Sequence, residues 1–326
     1  MRETPDSLID TSPAAVADFS PDGPMPEVAV ERISYHGWPD CYRLASGLVE
    51  AVVVPAIGRV MGMSLIASAR NAFWENRELD GQLHGPDAAQ WMNFGGDKCW
   101  PAPQSDWLSR QGRDWPPPPA FDAQPMQATG TGRGVTLTSS LDHAYGIQVV
   151  RHVELDRDRP AMRIRTGFHK LQGRPVRVSI WTVTQMPEPE RVAMALPAVS
   201  KLANGYACLM DGEPANLRLD GRLLSFARSR RAFVKIGTDG RSMAWIGPDS
   251  VVRMDVERRT GEYPDGGCAT EIYTNPDPLN YVELETLGPL ETMAPGGRIE
   301  LTTTYTLLPR STADPEAEAR RVLFPT

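Results

Sequence analysis

The sequence is short of positive charge, and above all of lysine. Its 326 residues include 34 Lys and Arg against 41 Asp and Glu, a formal net charge of −7. Nucleic acids and anionic membranes select basic surfaces, so this balance argues against both as partners. Lysine occurs only at Lys98, Lys170, Lys201 and Lys235. Because a compact ammonium does what a planar guanidinium cannot, we expect functional roles for Lys98 and Lys235.

Cysteine and histidine are also scarce, and neither is spaced as in a metal site. The four cysteines lie far apart without a Cys-x-x-Cys pair, and the five histidines lack metal-ligand spacing. No phosphate loop, dinucleotide fingerprint or Gly-x-Ser-x-Gly motif is present. We therefore expect neither a metal nor a cofactor, and we expect free thiols in a reducing compartment.

Long apolar runs are missing as well. No run approaches the ~20 residues that span a bilayer. Arg2 is followed by acidic and proline-rich sequence rather than by the apolar core of an export signal. These absences predict a cytoplasmic protein without a membrane partner, and they leave its oligomeric state open.

Short alternating segments are what the sequence does have. Runs of apolar and β-branched residues alternate with polar ones and end at Gly, Pro, Asp or Asn, which predicts antiparallel strands. We therefore predict an all-β protein, one large antiparallel β-sandwich over 27–326, preceded by a flexible proline-rich arm over 1–26. The runs are 48–54, 135–139, 149–155, 162–166, 176–185, 251–256, 281–287 and 299–308.

Two places carry helix signals, and one long loop separates predicted strands. Asp314 followed by Pro315 predicts a short carboxy-terminal helix with an Asp cap, and a weaker signal lies at 187–194. Residues 101–125, rich in proline and tryptophan, predict a loop without regular structure. Such a loop either walls a ligand cleft or covers a sheet edge.

The most informative segment is 91–104, Trp-Met-Asn-Phe-Gly-Gly-Asp-Lys-Cys-Trp-Pro-Ala-Pro-Gln. Its two glycines allow a turn that side chains would block, and its prolines stiffen the exit. Aromatic rings beside a few fixed polar groups suit a sugar-sized ligand. The alternative is a buried turn whose polar groups are satisfied within the protein. The candidate binding residues of this segment are Trp91, Asn93, Asp97, Lys98, Trp100 and Gln104.

A predicted strand over 281–287 carries two carboxylates on one face. Glu283 and Glu285 share that face with Tyr281 and Leu287, and their Cα atoms lie roughly 6.5–7 Å apart. If both face a cleft, at least one pKa rises toward neutrality, which makes a carboxylate usable as a general base. The alternative is an ordinary solvated strand face.

Three further side chains are candidates for the site. Trp181 shares one face of the predicted strand 176–185 with Arg177, where it is either a stacking platform or a packing residue. His143 lies in a turn next to a carboxylate and is a candidate for acid–base catalysis, with a structural role as the alternative. Arg177, Lys98 and Lys235 are candidates for contact with an anionic group of a ligand.

Three of these segments together resemble the galactose mutarotase-like superfamily, of the aldose 1-epimerase type, and most closely a bacterial branch of it. They are 93–104, 178–185 and 281–289, and the resemblance covers roughly residues 30–308. It implies a β-supersandwich and a small-molecule carbohydrate as ligand. The segment 281–289 resembles the mutarotase strand that ends in Leu-Glu-Thr, which would place the general base at Glu285.

The sequence departs from this family at one catalytic position. In a mutarotase a carboxylate removes the anomeric proton while a histidine protonates the ring oxygen. The corresponding strand here reads Ile-Trp-Thr-Val over 180–183, and tryptophan has no titratable proton to give. A sugar epimerase would therefore need Lys98, Asp97 or His143 as the acid. The alternatives are a non-catalytic carbohydrate-binding or sensing protein, and a glycoside hydrolase or lyase using Glu283 and Glu285.

Overall fold

The computed structural model describes residues 27–85, 90–211, 214 and 216–325. The predicted arm over 1–26 lies outside the described residues. The strands are β1 (Ala29–Tyr35), β2 (Trp38–Ala45), β3 (Val49–Val54), β4 (Arg59–Leu65), β5 (Asp97–Ala102), β6 (Gln127–Gly130), β7 (Gly134–Asp142), β8 (Ile147–Leu155), β9 (Ala161–Lys170), β10 (Val176–Pro187), β11 (Arg191–Ala195), β12 (Ala207–Cys208), β13 (Arg218–Asp220), β14 (Leu223–Phe226), β15 (Val234–Thr238), β16 (Ser242–Ile246), β17 (Ser250–Val256), β18 (Thr270–Thr274), β19 (Tyr281–Leu287), β20 (Glu291–Met293) and β21 (Arg298–Pro309). The α-helices are α1 (Trp107–Gln111), α2 (Pro119–Asp122) and α3 (Pro315–Leu323).

These strands form two antiparallel sheets, which confirms the predicted all-β sandwich. One sheet has eleven strands in the order β1-β2-β3-β4-β5-β10-β19-β18-β15-β12, with β20 paired to β10. The other has ten strands in the order β13-β14-β11-β16-β17-β21-β9-β8-β7-β6. Strands far apart in sequence, such as β5, β10 and β19, are therefore direct neighbours in space.

The core lies between the two sheets and follows from the period-2 pattern of the strands. Ile180 and Leu284 from the first sheet join Ile164 and Leu301 from the second in one buried cluster. Threonines line up in the same layer, where the hydroxyls of β10, β19 and β21 bond to one another. Their buried hydroxyls are therefore satisfied within the sandwich.

The predicted carboxy-terminal helix is confirmed as α3. The Asp314 side chain caps it by accepting a hydrogen bond from the Glu316 backbone N–H at 3.0 Å. Ala319 and Val322 pack on the outer face of the ten-stranded sheet, in a cluster with Ile246. Among the described residues, no helix combines the length and the apolar character needed to cross a bilayer.

Two local predictions were wrong. The segment 187–194 is not a helix, because residues 191–195 pair with both β14 and β16 as an interior strand. Pairing on two sides outweighs the weak helical propensity of this stretch. The loop 101–125 is not structureless, because it contains α1 and α2. Pro119 opens α2, a position where proline loses no hydrogen bond.

Candidate functional site

A cavity of about 380 Å³ opens on the outer face of the eleven-stranded sheet. Its floor is formed by β5, β10, β19, β18 and β15, which are consecutive in that sheet. This volume is within the range of pockets that hold small ligands. The residues that line it are Trp91, Trp100, Gln104, Trp115, Trp181, Met210, Phe233, Lys235, Tyr273, Asn275, Tyr281, Glu283 and Glu285.

Strand pairing brings the glycine turn and the carboxylate strand together. Val183 of β10 lies opposite Lys98 of β5 on one side and opposite Glu285 of β19 on the other. The turn before β5 requires its glycines. Gly95 and Gly96 both have positive φ, and a Cβ on Gly95 would collide with the backbone of the preceding loop.

Glu285 lies on the cavity floor in a fixed polar environment. Its Oε2 accepts a hydrogen bond from Trp181 Nε1 at 2.6 Å and lies 2.9 Å from Lys235 Nζ. Lys235 Nζ also lies 2.6 Å from the buried Glu271 carboxylate. Burial alone lowers the pKa of Lys235, but the carboxylates of Glu271 and Glu285 raise it above its usual range. The ammonium is thus held charged between two carboxylates.

Glu283, the neighbouring floor carboxylate, has different partners. Its Oε1 accepts a hydrogen bond from Gln185 Nε2 at 2.8 Å and lies 3.7 Å from Lys98 Nζ. Burial raises the pKa of Glu283, while the nearby Lys98 opposes that rise. Two carboxylates on one strand face therefore have unlike surroundings, the arrangement that separates acid and base roles.

Lys98 lies beneath the cavity rather than in its lining. Its side chain is fully buried, and its Nζ makes no hydrogen bond. The Nζ lies 5.2 Å from the centre of the Trp100 ring, in a cation–π contact. Burial lowers the pKa of Lys98 to about 8, although Glu283 acts in the opposite direction.

Tryptophans form one wall of the cavity. Trp100 packs edge-on against Trp91, Trp115 and Trp181, with ring centres 5.0–6.2 Å apart. Asp122 of α2 fixes two of these rings by accepting hydrogen bonds from Trp91 Nε1 at 3.0 Å and Trp100 Nε1 at 2.8 Å. The loop 101–125 thus does wall the cavity, as one of its two interpretations predicts. Asp122 was missed because nothing near it in sequence marks a contact with Trp91.

The opposite wall was largely missed from sequence. Phe233 stacks on Tyr273 with ring centres 6.1 Å apart and planes at 20°. Asn275 accepts a hydrogen bond from the Tyr273 hydroxyl at 3.0 Å. Of the residues near this wall, the sequence predicted only Lys235 as a site residue. Lys235 lies on β15, which reaches the cavity by pairing with β18. The alternation of residues along one strand does not determine which strand it pairs with.

Asp97 has a different position from the one expected. Its carboxylate faces the layer between the sheets, where it pairs with Arg151 of β8 and accepts hydrogen bonds from the hydroxyls of Thr184 and Tyr305, each at 2.8 Å. Alternation along β5 explains this, because Lys98 and Trp100 share a side of the strand that Asp97 does not. The placement of Asp97 in the cleft is corrected to the interior of the sandwich.

Three other candidates also lie outside the cavity lining. His143 is exposed in the turn between β7 and β8, in the other sheet, so its placement as a cavity acid is corrected. Arg177 is exposed and forms an ion pair with Glu262 at 2.6 Å, so its placement beside the ligand is corrected too. Asn93 is buried close to Tyr281. The predicted residues that do line the cavity are Trp91, Trp100, Gln104, Trp181, Lys235, Glu283 and Glu285.

No protein-family model and no curated protein matches the sequence. Solved structures do match. A galactose mutarotase-like protein from Lactobacillus casei gives a TM-score of 0.58 at 9% identity, over 82% of this chain and 99% of that one. A candidate aldose 1-epimerase from Klebsiella pneumoniae gives 0.56 at 9% identity, over 90% and 85%. Another from Escherichia coli gives 0.54 at 13% identity, over 82% and 98%. At such identities the likeness concerns the fold alone.

Proposed function

Starting from the galactose mutarotase-like fold that this chain has, we propose that the cavity binds a carbohydrate. The observation that supports this most is the make-up of the cavity. Tryptophan rings form a wall on which the C–H face of a sugar can stack, while Glu283, Glu285 and Lys235 converge on the floor as hydrogen-bond partners for hydroxyls. The ligand is a small saccharide rather than a macromolecule.

We further propose that the protein epimerises an aldose at its anomeric carbon, with Glu285 as general base. Glu285 removes the proton of the anomeric hydroxyl while a protonated Glu283 gives its proton to the ring oxygen, and the ring opens to the aldehyde. Rotation about the bond next to the carbonyl exposes its other face. Closure then returns one proton to Glu283 and one from Glu285 to the new anomeric hydroxyl.

Glu283 takes the role of the acid, for which the sequence offers Lys98, Asp97 or His143. Asp97 faces the interior of the sandwich, His143 lies in the other sheet, and Lys98 is sealed beneath the tryptophans. Glu283 lines the cavity, and burial raises its pKa, so a larger share of its carboxyl groups carries a proton. It is therefore the acid that the geometry favours.

The test is Glu285→Gln, measured by NMR exchange between anomers across a panel of aldoses that the protein binds. An enzyme that uses Glu285 as base should lose about 10²- to 10⁴-fold in exchange rate and still bind sugar in calorimetry. Glu300→Gln, on an exposed part of β21, is the matched control and should keep full activity. Unchanged exchange in Glu285→Gln on every bound sugar would reject the catalytic assignment.

A second candidate is carbohydrate binding without chemistry. It is favoured by the contacts of Glu285, whose Oε2 already receives the Trp181 N–H and the Lys235 ammonium. It also agrees with the residues described as lining the cavity, which include no histidine. Calorimetry combined with anomer exchange separates the two, because sugar binding with no exchange above the uncatalysed rate supports this second candidate.

A further inference from the structure

Exposed apolar side chains border the mouth of the cavity. Trp115 is 42% exposed, Phe233 56% and Met210 41%, although all three line the same cavity as the buried floor. Large apolar side chains left in water next to a polar pocket are typical of ligand-binding surfaces. The floor carboxylates provide for one sugar ring, but they do not account for this apolar border.

The border spans a long distance. Trp115 belongs to the loop that follows β5, and Phe233 immediately precedes β15. Three strands, β10, β19 and β18, lie between β5 and β15. Four strand spacings of about 4.8 Å put β5 and β15 roughly 19 Å apart at the backbone. The exposed rings at the two ends of the border therefore belong to segments next to strands that lie farther apart than the width of one sugar ring.

Both exposed rings are held in place from behind. Trp115 stacks on the buried Trp107 with ring centres 6.1 Å apart and planes at 26°. Phe233 stacks on Tyr273 in a similar way, at 6.1 Å and 20°. Ordered rings lose little freedom when a ligand stacks on them, so they form prepared platforms rather than mobile surface side chains.

We propose that the ligand is a saccharide of at least two rings, a proposal that rests on the carbohydrate function proposed above. The reducing ring lies on the floor next to Glu285, and the following ring stacks at the mouth against Trp115 or Phe233. The other side chains at the mouth, Gln104, Met210 and Asn275, carry no charge. The second ring is therefore an uncharged sugar, to which the exposed Gln104 amide can hydrogen-bond.

The test compares each disaccharide with its own reducing-end monosaccharide by calorimetry on the full chain. Suitable pairs are maltose and cellobiose against glucose, with lactose against glucose as a third. We expect at least one disaccharide to bind about three- to tenfold more tightly, the gain that one added aromatic contact gives. Equal or weaker binding of every disaccharide overturns the proposal.

Substitutions at the cavity mouth show which aromatic ring provides the higher affinity for a disaccharide. Phe233→Ala and Trp115→Ala should each reduce disaccharide affinity more than monosaccharide affinity, and at least one should bring the ratio of the two close to one. Leu219→Ala, which removes an exposed side chain from β13 in the other sheet, should leave the ratio unchanged. Each variant is judged by the ratio of its disaccharide affinity to its monosaccharide affinity. A variant that still binds the monosaccharide is folded. A ratio that neither aromatic substitution lowers overturns the proposal.

The outcomes separate this proposal from the function on which it rests. Tight monosaccharide binding without a disaccharide gain leaves carbohydrate binding standing and rejects the second ring. Failure to bind any saccharide rejects both. If the apolar border instead serves a protein partner, Phe233→Ala and Trp115→Ala will both leave all sugar affinities unchanged, which overturns the proposal.

Discussion

Lys98 is a fully buried residue of a type that is usually exposed to solvent. It is one of four lysines in the chain, and its ammonium lies between the Trp100 ring and the Glu283 carboxylate. A lysine in this position is desolvated without a hydrogen bond to compensate. Its protonated form therefore costs the folded state free energy, even though the ion pair with Glu283 returns part of it.

This cost has a predictable pH dependence. The pKa of Lys98 falls from 10.5 to about 8 on folding, so the unfolded chain binds this proton more tightly. The penalty is fully present below pH 8, and it disappears as pH rises from 8 toward 10.5. Between pH 8 and pH 10.5 the free energy of unfolding of the parent protein should therefore rise by up to a few kcal/mol relative to that of Lys98→Met.

Urea unfolding at pH 7 and pH 10 measures this difference. Lys201→Met is the matched control. Because Lys201 is exposed, its removal should change the free energy of unfolding by the same amount at pH 7 and at pH 10. A constant difference between the parent and Lys98→Met at both pH values would contradict the buried-ammonium account.

At the scale of elements, alternation along strands decided which side chains face the cavity and which face the core. On β19, Glu283 and Glu285 line the cavity, while Leu284 joins the core. Because both carboxylates project from one strand, they do not flank a ligand from opposite sides, which disfavours a hydrolase that needs that geometry. On β5 the same rule sends Asp97 into the sandwich.

The Asp97–Arg151 ion pair joins β5 of one sheet to β8 of the other and is completely buried. Arg151→Met should cost about 3–5 kcal/mol in free energy of unfolding, because it leaves the Asp97 carboxylate without its buried counter-charge. Arg177→Met breaks the exposed pair with Glu262 and should cost at most about 1 kcal/mol. Denaturant unfolding of both variants gives the comparison, and similar losses would refute a structural role for the buried pair.

At the scale of the whole molecule, the balance of charge disfavours an anionic ligand. The chain has a net charge of −7. Lys235 is already paired with Glu271 and Glu285, and Lys98 is sealed beneath the cavity lining, where a ligand does not reach it. Arg177 is paired with Glu262, so none of the three cations expected to contact an anionic group is both unpaired and open to the cavity.

We expect neutral aldoses to bind at least about tenfold more tightly than their phosphate or uronate forms at low ionic strength. The reason is repulsion between the ligand anion and the carboxylates of the floor, which is equivalent to about 1–2 kcal/mol near a protein surface. Calorimetry at low and high salt tests this, because screening should narrow the gap. Preferred binding of a sugar phosphate would contradict the charge argument.

The sequence by itself determined the sandwich, the helix at the carboxy terminus and the faces of its strands. Local alternation and capping carry that information, because a period of two residues assigns each side chain to a face. Tertiary structure alone decided which strands are neighbours. Pairing of β5 with β10 and of β10 with β19 brings Lys98 to Glu283, and pairing of β15 with β18 brings Lys235 to Glu285. Contacts between strands so distant in sequence depend on register and packing across the whole sheet, which no local pattern encodes.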